Sequence, residues 1–152
     1  MVVLVNYKNL EIYHLAHNYV LDIYILLERF PAKEEKNLIC QIRRAATSLP
    51  LNIAEGSAGR SYKIFLTYLY YAYCSSQELE AGLLLAKDLG FLDFKSYSSA
   101  LEKLDRFIRK LYCYMKYVEG KCETKRSGRK DVPPVYDYKL YERKMPVVGV
   151  EN

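Results

Sequence analysis

FLTYLYYAYCSSQELEAGLLLA, residues 65–86, carries the most regular pattern in the chain. Phe65, Leu69, Ala72, Ser76, Leu79, Leu83 and Ala86 follow one another at alternating steps of four and three residues. An α-helix advances 3.6 residues per turn, so residues at that spacing share one face, whereas a strand would alternate at every second position. The stretch is therefore predicted to be an amphipathic helix whose apolar stripe needs a partner. Ser61 stands where its N-cap belongs, and Gly90 is placed as the C′ residue that ends it.

Working outward, three more stretches repeat the spacing. Upstream, Ile12, Ala16, Tyr19, Ile23, Leu26 and Phe30 follow it until Pro31 stops the helix. A second helix is expected from about Glu34, with Leu38, Ile42, Ala45 and Leu49 on its seam. Downstream, after Asp93 as N-cap, the seam is Tyr97, Leu101, Leu104, Ile108, Leu111, Met115 and Val118, with Gly120 as the stop. The connections, around Pro31, Ser57 to Ser61 and Gly90 to Asp93, are short, and short links between long helices force antiparallel neighbours. The fold class expected is all-α: an antiparallel up-down-up-down four-helix bundle over residues 1–120, with crossing angles of about 20° and an extended C-terminal tail over residues 121–152.

Within the second helix, SLPLNIAEG, residues 48–56, interrupts the seam with a proline and an amide. Pro50 has no N–H and crowds the preceding turn, which frees the carbonyl of Ala46 and predicts a kink there. That carbonyl is a partner for Asn52, which falls on or beside the seam and must be hydrogen-bonded if buried. Glu55 lies near the helix end, and Gly56 with Gly59 lets the backbone turn. Pro50, Asn52, Glu55 and Gly56 therefore read first as a structural device for kink and register; the alternative is that Asn52 and Glu55 line a ligand site.

A chain of 152 residues has room for one domain with a real core. Hydrophobic residues make up 51% and charged residues 27%, as in a folded globular protein, and 16 Tyr against 5 Phe and no Trp make its aromatic surface amphipathic. The formal net charge of +5 is unevenly placed: KCETKRSGRK, residues 121–130, holds five basic residues and one acid, hence four of the five net charges. Such a cluster suits phosphates or an acidic protein surface, and equally a solvated charge run. Cys40, Cys74, Cys113 and Cys122 form no CxxC pair and no metal-ligand spacing, and the first three read as small buried hydrophobes. With neither a signal peptide nor a membrane span in the pattern, a reducing cytoplasm is the expected home.

The tail changes character: Pro133 and Pro134 exclude a helix, and Tyr136, Tyr138, Lys139 and Leu140 alternate weakly, as in an edge strand or a docked arm. Part of it is expected to pack on the bundle or on a neighbouring subunit.

QIRRAATSLPLNIAEG at residues 41–56, followed by SYKIFLTYLYYAYCSSQELE and LLLAKDLGFL, resembles a bacterial four-helix bundle family that includes the proteins encoded in intervening sequences of 23S ribosomal RNA genes. The resemblance runs from about Leu10 to Val118, through an aromatic first helix (IYHLAHNYVLDIY), a Phe-Pro turn, the RRAA-S-P-NIAEG pattern and the LAKDLG close. It implies a homopentamer with a basic surface and no catalysis. A relative in fold, the accessory variability protein of diversity-generating retroelements, binds a reverse transcriptase and nucleic acid, which makes a reverse transcriptase a second possible partner for this chain. Tyr13 stands where the family often has tryptophan, and the tail is longer than is usual there.

Arg43 and Arg44 point about 100° apart on a helix and cannot both be buried. One is expected to pair with Glu78 or Glu80, the other to face a groove or a neighbouring subunit. Together with Arg60, Lys63, Lys125, Arg126, Arg129 and Lys130 they form the candidate set for contact with nucleic acid, RNA or DNA, or with an acidic partner. Tyrosines between Lys139, Arg143 and Lys144 suit stacking on unpaired bases. Tyr70, Tyr73, Tyr112 and Tyr117 lie off the seams and read as subunit-interface residues. His14 and His17 share a face, but no carboxylate or thiol completes a metal site, so both read as structural. The sequence holds no phosphate loop, no nucleophile–histidine spacing and no paired carboxylates in a pocket signature. Neither catalysis nor a cofactor is expected.

Overall fold

The computed structural model describes the backbone of residues 5–127 and the side chains of residues 5–122. Among the described residues the chain forms four α-helices, α1 (Glu11–Leu27), α2 (Leu38–Ser57), α3 (Tyr62–Asp88) and α4 (Phe94–Ser127), two short 3-10 turns and no strand. Each helix packs against its chain neighbours, and α1 closes the ring against α4. The result is the up-down-up-down four-helix bundle that the spacings require.

The seam of α3 is as expected: Phe65, Leu69, Ala72, Ser76, Leu79, Leu83 and Ala86 are all buried. Both of its ends are built by the anticipated residues. The Ser61 hydroxyl accepts from the N–H of Ile64 at 3.2 Å. At the other end Gly90, at φ 77°, sends its N–H to the Lys87 carbonyl at 3.0 Å, and the Phe91 N–H reaches the Ala86 carbonyl at 2.8 Å. This paired arrangement satisfies two carbonyls that a helix end leaves open, and it needs a residue without a Cβ penalty at positive φ. It also delivers Phe91 onto Phe30, with ring centroids 5.9 Å apart.

Elsewhere the helices drift from the strict four-three spacing, since an undistorted helix repeats at 3.6 rather than 3.5 residues. In α1 the buried residue of the last turn is Leu27, not Leu26. In α2 Ile39 takes the place expected of Leu38, and Ile53 continues the seam. On α4 Ala100 and Phe107 are buried beside Leu104, Leu111 and Val118, while Tyr97, Leu101, Ile108 and Met115 pack half-buried along the flank.

Four expectations are corrected. First, α2 begins at Leu38 rather than near Glu34. Ala32–Glu34 forms a 3-10 turn instead, because Ala32 to Asn37 has no large apolar side chain to bury. Second, α4 does not stop at Gly120 but continues to Ser127. One glycine costs a helix only about 1 kcal/mol and does not by itself end one. Third, Cys40 and Cys74 are exposed and Cys113 is half-buried, so none of the three is a core residue. Cys40 follows the buried Ile39 directly, Cys74 lies midway between the buried Ala72 and Ser76, and Cys113 lies two residues past the buried Leu111, so all three fall beside the stripes. Fourth, Asn52 bonds the carbonyl of Ser48, four residues back, at 2.8 Å, not that of Ala46, because a half-buried amide turns naturally onto its own helix. Through Pro50 the helix is continuous from Leu38 to Ser57.

Gly56 is helical and buried, and its absent side chain matters for packing rather than for a turn. A Cβ there would stand 2.5 Å from Cβ of Tyr68 and 2.9 Å from Cδ2 of Phe65. The last turn of α2 thus touches the first turns of α3 at backbone distance.

Candidate functional site

The antiparallel order places the start of α1, the α2–α3 connection and the far part of α4 at one end of the bundle. The α1–α2 and α3–α4 connections form the other. Pairs across helices mark the levels: Glu55 beside Tyr68, Glu11 beside Lys110, and Asp22 beside Lys103.

The two ends differ in charge. At the connection end of α1–α2 and α3–α4, Glu28, Glu34, Glu35, Asp88 and Asp93 balance Arg29, Lys33, Lys36, Lys87 and Lys95. At the opposite end Lys8, Arg60, Lys63, Lys110, Lys116 and Lys121 face only Glu11, Glu55 and Glu119 among the described side chains. Each of those three carboxylates already has a partner. Lys110 lies 3.3 Å from Glu11, Lys116 lies 2.8 Å from Glu119, and the Tyr68 hydroxyl donates to Glu55 at 2.9 Å. That hydrogen bond and the charge of Glu55 raise the pKa of Tyr68. Lys63 lies in the first turn of α3 and Arg60 just before it, where the positive end of the helix dipole disfavours cations. Their presence there strengthens an already positive end.

Arg60 and Lys63, both exposed, therefore belong together. Arg43 and Arg44 do not join them. They lie in the first half of α2 and are engaged within the bundle: Arg44 reaches Glu78 on α3 at 3.3 Å, as expected. Arg43 pairs with Glu35 and lies 5.6 Å over the ring of Tyr24. Lys125 and Arg126 fall in the last turns of α4, which extend the basic end. Their side chains, and the whole of Arg129 and Lys130, lie outside the described residues, as does the expected docked arm from Pro133 to Leu140.

Of the SLPLNIAEG device, Glu55 and Gly56 join α2 to α3 through Tyr68, a residue the sequence reading did not single out. Asn52 turns back on its own helix.

Two of the off-seam tyrosines, Tyr70 and Tyr112, line one groove between α3 and α4. Both are exposed, and the groove, of about 370 Å³, has a floor that includes Leu66 and Met115. Tyr70 stacks on Tyr73, and the ammonium groups of Lys116 and Lys121 sit 5.7 Å and 5.4 Å from the rings of Tyr112 and Tyr117. On the other side of α4, between it and α1, a second cleft of about 490 Å³ is bordered by Asp22, Lys103, Arg29 and Ser96, which bond to one another in pairs.

His14 binds the carbonyl of Lys8 through Nε2 at 2.7 Å, and the His17 ring stacks on Tyr13 at 6.0 Å. Among the described residues no group of three or more His, Cys, Asp or Glu is placed to hold a metal ion, and no helix is long and apolar enough to cross a membrane.

Lys8, Lys110 and Lys116 were missed as site residues because nothing in the linear sequence joins positions more than a hundred residues apart. Only the antiparallel topology brings them to one end. In comparison with known proteins, the family model described as 23S rRNA-intervening sequence protein matches residues 8–113. No curated protein matches the chain.

Proposed function

The chain belongs to the 23S rRNA-intervening sequence protein family, and from that premise we propose that it is a non-enzymatic, homo-oligomeric bundle that binds nucleic acid through its basic end and the tail that follows. The observation that carries this reading is the charge asymmetry between the two ends of the bundle. Six cations face three carboxylates, two of them paired with Lys110 and Lys116 of the same set and the third bonded to Tyr68, and the resulting excess of positive charge attracts phosphates by a long-range, salt-sensitive field. The tail continues the positive charge with Lys125, Arg126, Arg129 and Lys130.

Self-association is supported by large apolar side chains left at the surface. Leu21 and Ile25 on α1, Leu84, Leu85 and Leu89 at the end of α3, and Phe94 are all more than 40% exposed. A count of five subunits is the assembly the family resemblance implies, and in a ring the basic end would be presented once per subunit, multiplying weak contacts into avidity. Four cysteines with no CxxC pair and no metal-ligand spacing suit a reducing cytoplasm. The same exposed apolar end favours a second reading, in which a protein such as a reverse transcriptase docks there and the basic end meets its nucleic acid.

Binding of a labelled RNA and a labelled DNA, followed by anisotropy over a salt series, tests the main reading. Changing Arg60, Lys63 and Lys121 together to Gln should weaken binding and flatten the slope of log affinity against log salt by about 0.7 for each lost single-strand contact. Neutralising Lys125, Arg126, Arg129 and Lys130 as a set measures the share of the tail. Unchanged binding by both variants at matched salt would remove the basic end from the mechanism. Native mass spectrometry reads the subunit number and any retained nucleic acid together.

A further inference from the structure

We propose that the groove between α3 and α4 receives an unpaired base of single-stranded RNA, a reading that rests on nucleic-acid binding at the basic end. Two helical stripes face each other across the groove. On α3, Leu66, Thr67 and Tyr70 line it within one turn of helix; on α4, Tyr112, Lys116 and Glu119 recur at helical spacing. Each side thus carries an exposed phenol ring, and α4 adds the ammonium group of Lys116, the arrangement by which single strands are held: rings for the bases, a cation for the backbone.

The chemistry favours a single strand over a duplex. A ring stacks only on a base whose face is free, and a gap between two packed helices, whose axes lie about 8–10 Å apart, is too narrow for a double helix. Stacking on a ring needs only the face of a base, which every base has. Thr67 already donates its hydroxyl to the carbonyl of Lys63 at 3.1 Å, so binding is tolerant of sequence.

Glu119 makes the choice between RNA and DNA. It lines the groove and accepts from Lys116 at 2.8 Å. A carboxylate only accepts hydrogen bonds, and the ribose 2′-hydroxyl is the donor that a DNA backbone lacks.

The test uses the full chain and three fluorescent probes: a mixed-sequence single-stranded RNA, its DNA counterpart, and the RNA as a blunt duplex. Changing Tyr70 and Tyr112 together to Leu keeps the groove apolar and removes the rings. It should weaken single-strand RNA binding by about tenfold or more with the salt slope unchanged, and circular dichroism should show unchanged helicity, as both rings are exposed. The double change Tyr70→Phe with Tyr112→Phe should keep wild-type affinity, because stacking needs the ring and not the hydroxyl. Glu119→Gln should narrow the preference for RNA over DNA.

If the Leu pair binds RNA as the wild type does while the Arg60, Lys63 and Lys121 variant loses affinity, the groove is excluded and the basic end stands. Equal wild-type affinity for RNA and DNA overturns the role of Glu119 and with it the RNA assignment. A wild-type chain that binds no probe at low salt removes both readings.

Discussion

The hydroxyl of Tyr19 on α1 donates to the carbonyl of Ala100 on α4 at 3.0 Å, across a buried contact between residues 81 apart in sequence. It joins the first and last helices at the seam where the ring closes. Burial is the main reason the pKa of Tyr19 is raised, with the charges of Asp22 and Glu80 adding to it, so the phenol stays a donor throughout the ordinary pH range. Changing Tyr19 to Phe should cost about 1 kcal/mol, the net worth of one hydrogen bond. Changing it to Ala should cost about 3–5 kcal/mol, since a large buried ring leaves a cavity. Urea unfolding followed by circular dichroism measures both.

Two glycines should respond in opposite directions to the same substitution. At Gly56 a methyl group would lie 2.5 Å from Tyr68, so Gly56→Ala is expected to destabilise by about 1–3 kcal/mol through overpacking, against its better helix propensity. At Gly120, also helical, a Cβ meets nothing within 4 Å. Gly120→Ala should therefore stabilise by up to about 1 kcal/mol. Thermal melts of the two variants, compared with the parent, decide the matter.

Asp93 ties cap stability to pH. It accepts from the Ser96 N–H and the Ser96 hydroxyl, both at 2.8 Å, and these bonds, the first the larger effect, hold its pKa below the ordinary 3.8. A carboxyl group lowered on folding stabilises above its unfolded pKa and loses that contribution as pH falls through the folded value. The stability gap between the parent and Asp93→Ala should accordingly be full near neutrality and close as the solution is acidified below about pH 4. A gap that stayed constant to low pH would show that the cap does not act through its charge.

Arg44 and Glu78 form the interhelical pair that the sequence pointed to, but their side chains are 70% and 48% exposed. A double-mutant cycle with Ala at both positions is expected to return a coupling below about 1 kcal/mol, falling with added salt.

Much of the bundle can be read from the chain because the signals are local. A stripe at helical spacing, as in α3, lies on one face whatever packs against it, and Ser61, Asp93 and Gly90 meet the backbone needs of helix ends within a few residues of themselves. What spacing leaves open is the centre of each buried face. Ala100 and Phe107 displaced Leu101 and Ile108 toward the flank of α4, and Cys40 and Cys74 fell on the exposed side, because the partner helix decides which side of an amphipathic stripe is covered. Gly56 is the same lesson in reverse: its identity is explained only by Tyr68 of the next helix, where two backbones approach too closely for a side chain. The candidate site was the least legible part. The sequence pointed to Arg60, Lys63 and residues 121–130, whereas the basic end also draws on Lys8, Lys110 and Lys116. Antiparallel packing alone gathers them, because distance in sequence carries no information about charge density until the chain has folded.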